Sequence, residues 1–243
     1  MTDTAPVGGT ADAPPTGLVA RILGVFFSPR ATYASVAARP RWFGVLACTS
    51  LVIAGGYFVF LSTDVGKQAA FDQQTQVIES FGIKLNDAAY ERMQDGIDRA
   101  RYTTAAGQLI GIPLVSAVIA GLLLGIFNAL LGGDASYKQV FAILAHSSVI
   151  GALQNVFAIP LDYVRETLSS PTSLLVFLPF IDNGSFLGRL LGAIDLFQIW
   201  AMVSLAIGLG VLYKRRTTPI AVSLFVVYFV IVAAVAAVRT ALS

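Results

Sequence analysis

The stretch LLGAIDLFQIWAMVSLAIGLGVL, residues 190–212, decides the class of this protein. Its apolar residues are not interrupted by the polar stripe, recurring every three to four positions, that a surface helix of a soluble protein shows. A mostly apolar run of about 18 residues or more is long enough to cross a bilayer as a helix. We therefore predict that this stretch spans a membrane, with one acid, Asp195, inside the span.

Four other stretches have the same character, so the sequence predicts an all-α integral membrane bundle of five transmembrane helices. The predicted spans are residues 43–61, 110–131, 140–160, 190–212 and 219–238. At about 1.5 Å per residue each span is about 28–35 Å long, which matches a hydrocarbon core of about 30 Å. Composition agrees, because hydrophobic residues make up 56% of the chain and charged residues only 12%.

The segments outside the spans differ in character. Residues 1–17 are small, polar and rich in proline and glycine, which predicts a disordered tail. Residues 18–42 predict two amphipathic helices in the membrane interface, the second beginning after a Ser28 cap with Pro29 as its first residue. The loop of residues 62–107 predicts a helical hairpin on the outer face. Residues 174–181 are too short to span, so we expect a re-entrant or interfacial piece, beside which a lipid-handling groove is a third functional hypothesis.

The distribution of basic residues predicts the orientation. The 16 lysines and arginines divide equally between the two faces, so their number does not decide it. Their density does, because Arg39 and Arg41 adjoin the first span while Lys214, Arg215 and Arg216 crowd one short loop. Short basic loops stay in the cytoplasm. We therefore predict a cytoplasmic N-terminus.

The same juxtamembrane residues predict a surface for an unidentified protein partner at the cytosolic face, next to the lipid bilayer. The predicted partner-binding residues are Ser28, Pro29, Arg39, Arg41, Trp42, Lys214, Arg215 and Arg216. The net charge is only +2, and no basic cluster resembles a nucleic-acid-binding face, so no nucleic-acid partner is expected.

Polar residues within the predicted spans are the candidates for intramembrane chemistry. We expect a cluster of Asp195 and Gln198, which share a helix face, with His146 and Asn128. One interpretation is structural, with these groups bonding each other or backbone carbonyls to set the helix register. The other is a proton relay in a small transporter or channel, since imidazole titrates near neutral pH.

Small residues recur every four positions in the second span, at Ala117, Gly121, Gly125 and Ala129. Such a stripe lets two helix backbones approach closely in a bilayer. The stripe predicts either packing within the chain or the face of a homodimer.

The sequence offers little for catalysis. One histidine and one cysteine, Cys48, do not make the usual zinc ligand set, and no nucleophile, phosphate-binding or metalloprotease motif occurs. We therefore expect no enzyme activity, no cofactor and no metal, and we interpret Cys48 as a packing residue.

Three motifs together resemble a known family. They are FSPRATY at residues 27–33 followed by RPRW at 39–42, GGDASYKQVF at 132–141, and DLFQIW at 195–200. In order and spacing they are similar to the bacterial branch of the YIP family, the Ypt/Rab-interacting membrane proteins. The resemblance covers roughly residues 18–238.

This resemblance implies a five-span helical bundle with a cytosolic N-terminus, and it supplies no catalytic residues. Eukaryotic relatives act in vesicle traffic with small GTPases, a partner that the short polar tail here does not support. We therefore expect a non-enzymatic protein of the bacterial inner membrane that serves as a scaffold or adaptor in membrane organisation. The alternative is a small proton-coupled transporter or channel using Asp195, Gln198 and His146.

Overall fold

The structure is a computed structural model that describes residues 17–242, apart from the side chains of residues 130 and 131. The predicted disordered tail therefore lies outside the described residues, except for Gly17. The helices of the described part are α1 Leu18–Phe27, α2 Pro29–Ala38, α3 Phe43–Phe60, α4 Asp64–Glu79, α5 Asp87–Gly96, α6 Ala100–Leu131, α7 Tyr137–Ser147, α8 Val149–Arg165, α9 Phe186–Ala193, α10 Leu196–Leu212 and α11 Thr217–Leu242. Short 3₁₀ turns occupy Ile97–Arg99 and Leu174–Phe177.

Four helical units in the described part are long and apolar enough to cross a membrane. They are Phe43–Phe60, Asp87–Ala129, Tyr137–Arg165 and Thr217–Leu242. These units confirm the predicted all-α membrane bundle. In the second unit the 3₁₀ turn Ile97–Arg99 joins α5 to α6, so the loop before this span leads directly into it. Asn86 caps α5 by accepting a hydrogen bond from the Ala89 amide.

The predicted fourth span, residues 190–212, is not one helix, which corrects the prediction. Ile194 and Asp195 are extended and separate α9 from α10, and α10 is 17 residues long. The extended backbone pairs with a passing loop, because the Leu174 amide donates to the Ile194 carbonyl and the Leu196 amide donates to the Thr172 carbonyl. An exchange of backbone hydrogen bonds with a loop distant in sequence is not visible in apolar patterning, which is why the run reads as continuous.

The core of the bundle forms around two central helices. α3 packs against both α6 and α8, and α10 packs against α2, α7, α8 and α11. Tyr33, Ile143 and Leu209, from α2, α7 and α10, are fully buried in the largest apolar cluster. Gly208 makes the close approach of these helices possible, since an added Cβ would lie 2.5 Å from Ile143 and 3.0 Å from the Tyr33 ring.

The N-terminal hairpin, α1 and α2 together, inserts into the bundle. At its turn, the Phe26 ring lies 5.6 Å from the Trp200 ring, in the early part of α10. At its other end, the Ala37 carbonyl accepts a hydrogen bond of 3.0 Å from the Gln139 side chain, near the start of α7. Both helices form at the predicted residues, but α2 packs among the other helices rather than lying only against their ends.

The segments opposite this entry gather at one end of the molecule. Gln73 of α4 donates to the Leu168 carbonyl at 3.2 Å, and Arg239 of α11 donates to the Ser80 hydroxyl at 2.8 Å. The Lys67 ammonium lies 2.7 Å from the Asp98 carboxylate. The helical loop of residues 62–107, the segment after α8 and the end of α11 therefore form a common layer, which we call the outer layer.

Candidate functional site

Asp195 lies at the junction between α9 and α10 and caps α10. Its Oδ1 accepts hydrogen bonds from the amides of Phe197, at 2.7 Å, and Gln198, at 3.3 Å. Its Oδ2 accepts from the hydroxyls of Thr172, at 2.6 Å, and Ser170. The side chain is buried, and both carboxylate oxygens have donors. Such charge-assisted bonds hold the start of α10 against the loop that follows α8.

His146 lies apart from Asp195. The ring is fully buried, and its Nδ1 lies 2.7 Å from the Ala142 carbonyl one turn earlier on α7. A carbonyl accepts hydrogen bonds, so Nδ1 is the protonated nitrogen. Among the described hydrogen bonds none joins His146 to Asp195 or Gln198, so the structure does not bring the predicted relay together.

Asn128 lies at the other end of α10 from Asp195. Its Nδ2 donates to the Ala135 carbonyl at 3.1 Å, and its Oδ1 accepts from the Tyr213 hydroxyl at 2.9 Å. Burial raises the pKa of Tyr213, so the phenol stays protonated and remains a donor. Gly133 is required here, because an added Cβ would come within 2.4 Å of the Tyr213 ring. Asn128 thus joins α6, the following turn and the end of α10.

The basic residues predicted to bind a partner collect where the N-terminal hairpin enters. We call this region the basic end. It comprises Arg39, Arg41, Lys138, Lys214, Arg215 and Arg216, all exposed. Trp42 is half-buried beside them, with its ring 5.0 Å from Phe141. Ser28 and Pro29 do not belong here, because they form the turn of the hairpin one helix length away.

The structure contains a second polar site that the sequence did not predict. We call it the Asp162 cleft: an open space of about 300 Å³ between α3, α6 and α8, bordered by Leu168, Ser170 and Pro171. Its polar lining includes Tyr57, Gln108, Gln154 and Asp162. Sequence reasoning missed it because Asp162 follows the predicted end of its span at residue 160. The available signal was the helical spacing, since Gln154 and Asp162 are eight residues apart and therefore share a face.

The stripe of small residues on α6 is largely open. A Cβ added at Gly125 would meet nothing within 4 Å, and one at Gly121 would meet only the Tyr137 ring, at 3.9 Å. Near the start of the stripe the Tyr137 hydroxyl donates to the Ala117 carbonyl. Ala129, at its end, is exposed. The buried face of α6 is instead lined by Ala120, Leu123 and Phe127. A homodimer through the stripe stays a prediction.

Residues 17–242 contain no cluster of candidate metal ligands. No group of three or more histidine, cysteine, aspartate or glutamate side chains there is placed to hold a metal ion. Cys48 is unpaired and half-buried on α3.

Comparisons with known proteins find a matching family and a similar membrane protein. The sequence profile of the Yip1 domain matches residues 23–238. Membrane protein YknW of Bacillus subtilis (strain 168) is 27% identical over 206 residues, which are 83% of this chain and 80% of that protein. No solved structure matches the chain.

Proposed function

The chain belongs to the Yip1 domain family, and from this premise we propose that it is a non-catalytic scaffold or adaptor that holds a protein partner at its basic end. It is a multi-pass membrane protein, with several apolar helices and a membrane protein as its relative. The proposed location is the bacterial inner membrane, with the basic end in the cytoplasm. The partner surface it would recognise is acidic.

The observation that carries this proposal is the separation of charge between the two ends. Six exposed lysines and arginines form the basic end, and Asp134 is the one acidic side chain of the described residues beside them. The outer layer instead mixes bases with acids, as in the Lys67–Asp98 pair. Short basic loops are retained in the cytoplasm, so this asymmetry supports the orientation. Its unbalanced positive charge favours an acidic partner.

The positions of the basic side chains also support docking. Arg39 and Arg41 flank Pro40 and follow α2, which is anchored in the core by Tyr33. Lys214 has a left-handed backbone, φ 52°, which turns the short loop sharply between α10 and α11. Two helix ends therefore fix the backbone that carries the charges, so little backbone entropy is lost when a partner binds.

The transport alternative has weaker support. A relay needs its titrating groups within hydrogen-bonding reach, directly or through water. Asp195 already accepts four hydrogen bonds, and the described bond of His146 goes to the Ala142 carbonyl on its own helix. Both side chains are better explained as structural groups.

Crosslinking in native membranes tests the scaffold proposal. Arg39→Glu combined with Lys214→Glu reverses the charge of the basic end, and we expect recovery of a stoichiometric crosslinked protein to fall at least about ten-fold. Lys84→Glu is the matched control, because Lys84 is exposed between α4 and α5 in the outer layer. Recovery from Lys84→Glu should equal recovery from the wild type. For both proteins, recovery should decrease as the salt concentration rises, because salt screens the attraction between exposed charges.

Two results would contradict the proposal. One is equal recovery from the charge-reversed variant and the wild type, when both are present at the same level in the membrane. The other is the loss of recovery in Lys84→Glu alone, which would assign docking to the opposite face.

A further inference from the structure

The Asp162 cleft lies near the outer ends of the helices that form it. Tyr57 precedes the end of α3 by three residues, and Asp162 precedes the end of α8 by three residues. The segment of residues 168–171 borders the cleft on the side of the outer layer. Three residues of helix rise about 4.5 Å, so the polar groups lie close to where a bilayer's headgroups begin.

Asp162 is the one charged side chain among the residues that line the cleft. It is 5% exposed, and its Oδ1 has no hydrogen-bond partner in the described part of the chain. Arg165, one turn away, acts on the carboxylate through its charge, but its guanidinium donates to the Ser169 carbonyl and makes no described salt bridge with Asp162. A buried carboxylate oxygen without a hydrogen bond is costly, so a cationic donor from outside the chain would stabilise it.

The other unpartnered acceptor nearby has a different explanation. Asn155 Oδ1 faces α3, where a Cβ added at Gly56 would lie only 2.1 Å away. This amide therefore packs against the backbone of Gly56, and the missing side chain makes room for it. Asn155 Oδ1 therefore faces the contact with α3, and Asp162 is the charged group of the cleft whose Oδ1 has no described hydrogen bond.

The shape and lining of the cleft narrow the chemistry of the missing donor. A calcium ion takes six to eight oxygen ligands at about 2.3–2.6 Å, and the cleft offers one carboxylate in a space of about 300 Å³. A primary ammonium group needs fewer partners. It can donate to the Asp162 carboxylate, while the Tyr57 ring, which also lines the cleft, favours a nearby cation.

We propose that the Asp162 cleft binds the primary ammonium group of an aminophospholipid headgroup, with Asp162 as its counter-ion. The lipid is the source because the cleft lies beside the headgroup level of the bilayer that the chain spans. This site is independent of partner docking at the basic end, and either can fail without the other.

Lipid titration of the purified full-length protein, followed by native mass spectrometry, tests the proposal. The probes are phosphatidylethanolamine, phosphatidylcholine and phosphatidylglycerol of the same acyl chains. We expect phosphatidylethanolamine to bind at least about ten-fold more tightly than phosphatidylglycerol, since a charge-assisted hydrogen bond contributes about that factor or more. Asp162→Asn should remove this preference. The matched control Asp95→Asn, an exposed acid on α5, should keep it.

A second variant keeps the test decisive if Asp162→Asn fails to fold. Ala158 lines the cleft one turn before Asp162, so Ala158→Leu fills the space beside the carboxylate without altering it. This variant should lose the preference for phosphatidylethanolamine as well.

Three outcomes would overturn the proposal. The first is equal binding of the three lipids to the wild type. The second is an unchanged preference in folded Asp162→Asn or Ala158→Leu protein. The third is displacement of the lipid by free ethanolamine at equal concentration, which would assign the site to a soluble amine instead.

Discussion

At the scale of single residues, Asp195 shows how a polar group inside an apolar run is accommodated. The chain breaks its helix at this acid and gives both of its oxygens hydrogen-bond donors. An ionised carboxylate placed at a helix centre in a bilayer would cost about 2.5–3.5 kcal/mol on insertion scales. Capping a helix and binding two hydroxyls avoids much of that cost, so the residue stabilises the fold.

Removal of the Asp195 carboxylate should destabilise the protein. Asp195→Ala should lower the free energy of unfolding by about 2 kcal/mol or more, because a cap and charge-assisted bonds are lost together. Asp195→Asn should lose less, since asparagine caps helices about as well as aspartate. Thermal unfolding in detergent measures both. An alanine variant as stable as the wild type would contradict the capping role.

Neighbouring glycines on α3 offer a matched pair. A Cβ at Gly56 would lie 2.1 Å from Asn155 Oδ1, whereas one at Gly55 would meet nothing within 4 Å. Gly56→Ala should therefore destabilise the α3–α8 contact by about 1–3 kcal/mol, and Gly55→Ala should be neutral or slightly stabilising. Unfolding curves of the two variants check this. Equal effects would mean that Asn155 moves aside without cost.

At the scale of elements, the N-terminal hairpin is part of the bundle. Its α2 places Tyr33 in the core, where the hydroxyl lies 2.6 Å from the Ser204 hydroxyl on α10. Its turn reaches the early part of α10 through Phe26. Buried contacts of this kind hold a short segment that would be marginal as isolated helices in water.

Crosslinking can verify the depth of this hairpin. In a Cys48→Ser background, Phe26→Cys with Trp200→Cys should form a crosslink with a short bifunctional maleimide. Phe27→Cys with Trp200→Cys is the control, because Phe27 is 83% exposed and turned away from the bundle. We expect at least about a five-fold difference in crosslinked product, judged by mobility on a gel. Crosslinking of the control pair alone would place the hairpin elsewhere.

At the scale of the whole molecule, the chain has two chemically different ends joined by apolar helices. The basic end collects the arginines after α2 and the basic loop after α10. The opposite end is a layer of polar helices, closed by contacts such as Gln73 with the Leu168 carbonyl. The basic end and the outer layer lie at opposite ends of the apolar helices. The proposed orientation therefore predicts that a reagent outside the cell reaches the outer layer and not the basic end.

Single-cysteine labelling of intact cells tests that orientation. In a Cys48→Ser background, Lys84→Cys should react with a membrane-impermeant maleimide and Lys214→Cys should not, because short basic loops stay in the cytoplasm. Both sites are exposed, so they should label equally once the membrane is permeabilised. The reverse pattern would place the basic end outside the cell and refute the proposed cytosolic docking.

The sequence by itself determined the fold class, the presence of four long apolar helices and the start of α2 after Ser28. Apolar runs of bilayer length and capping residues such as Asn86 are local signals, and local signals can be read from a single chain. The family resemblance likewise rests on residues in order along the chain, and the Yip1 domain match over residues 23–238 confirms it.

The tertiary structure alone decided what the polar residues do. Asp195 finds its donors in Thr172 and Ser170, more than 20 positions earlier, and Asp162 faces Tyr57 across a space between helices. Apolar patterning measures the free energy of transfer into lipid, which does not depend on which loop passes nearby. Hydrogen bonds are directional and short, so only the packed chain determines which polar group is satisfied and which still needs a partner.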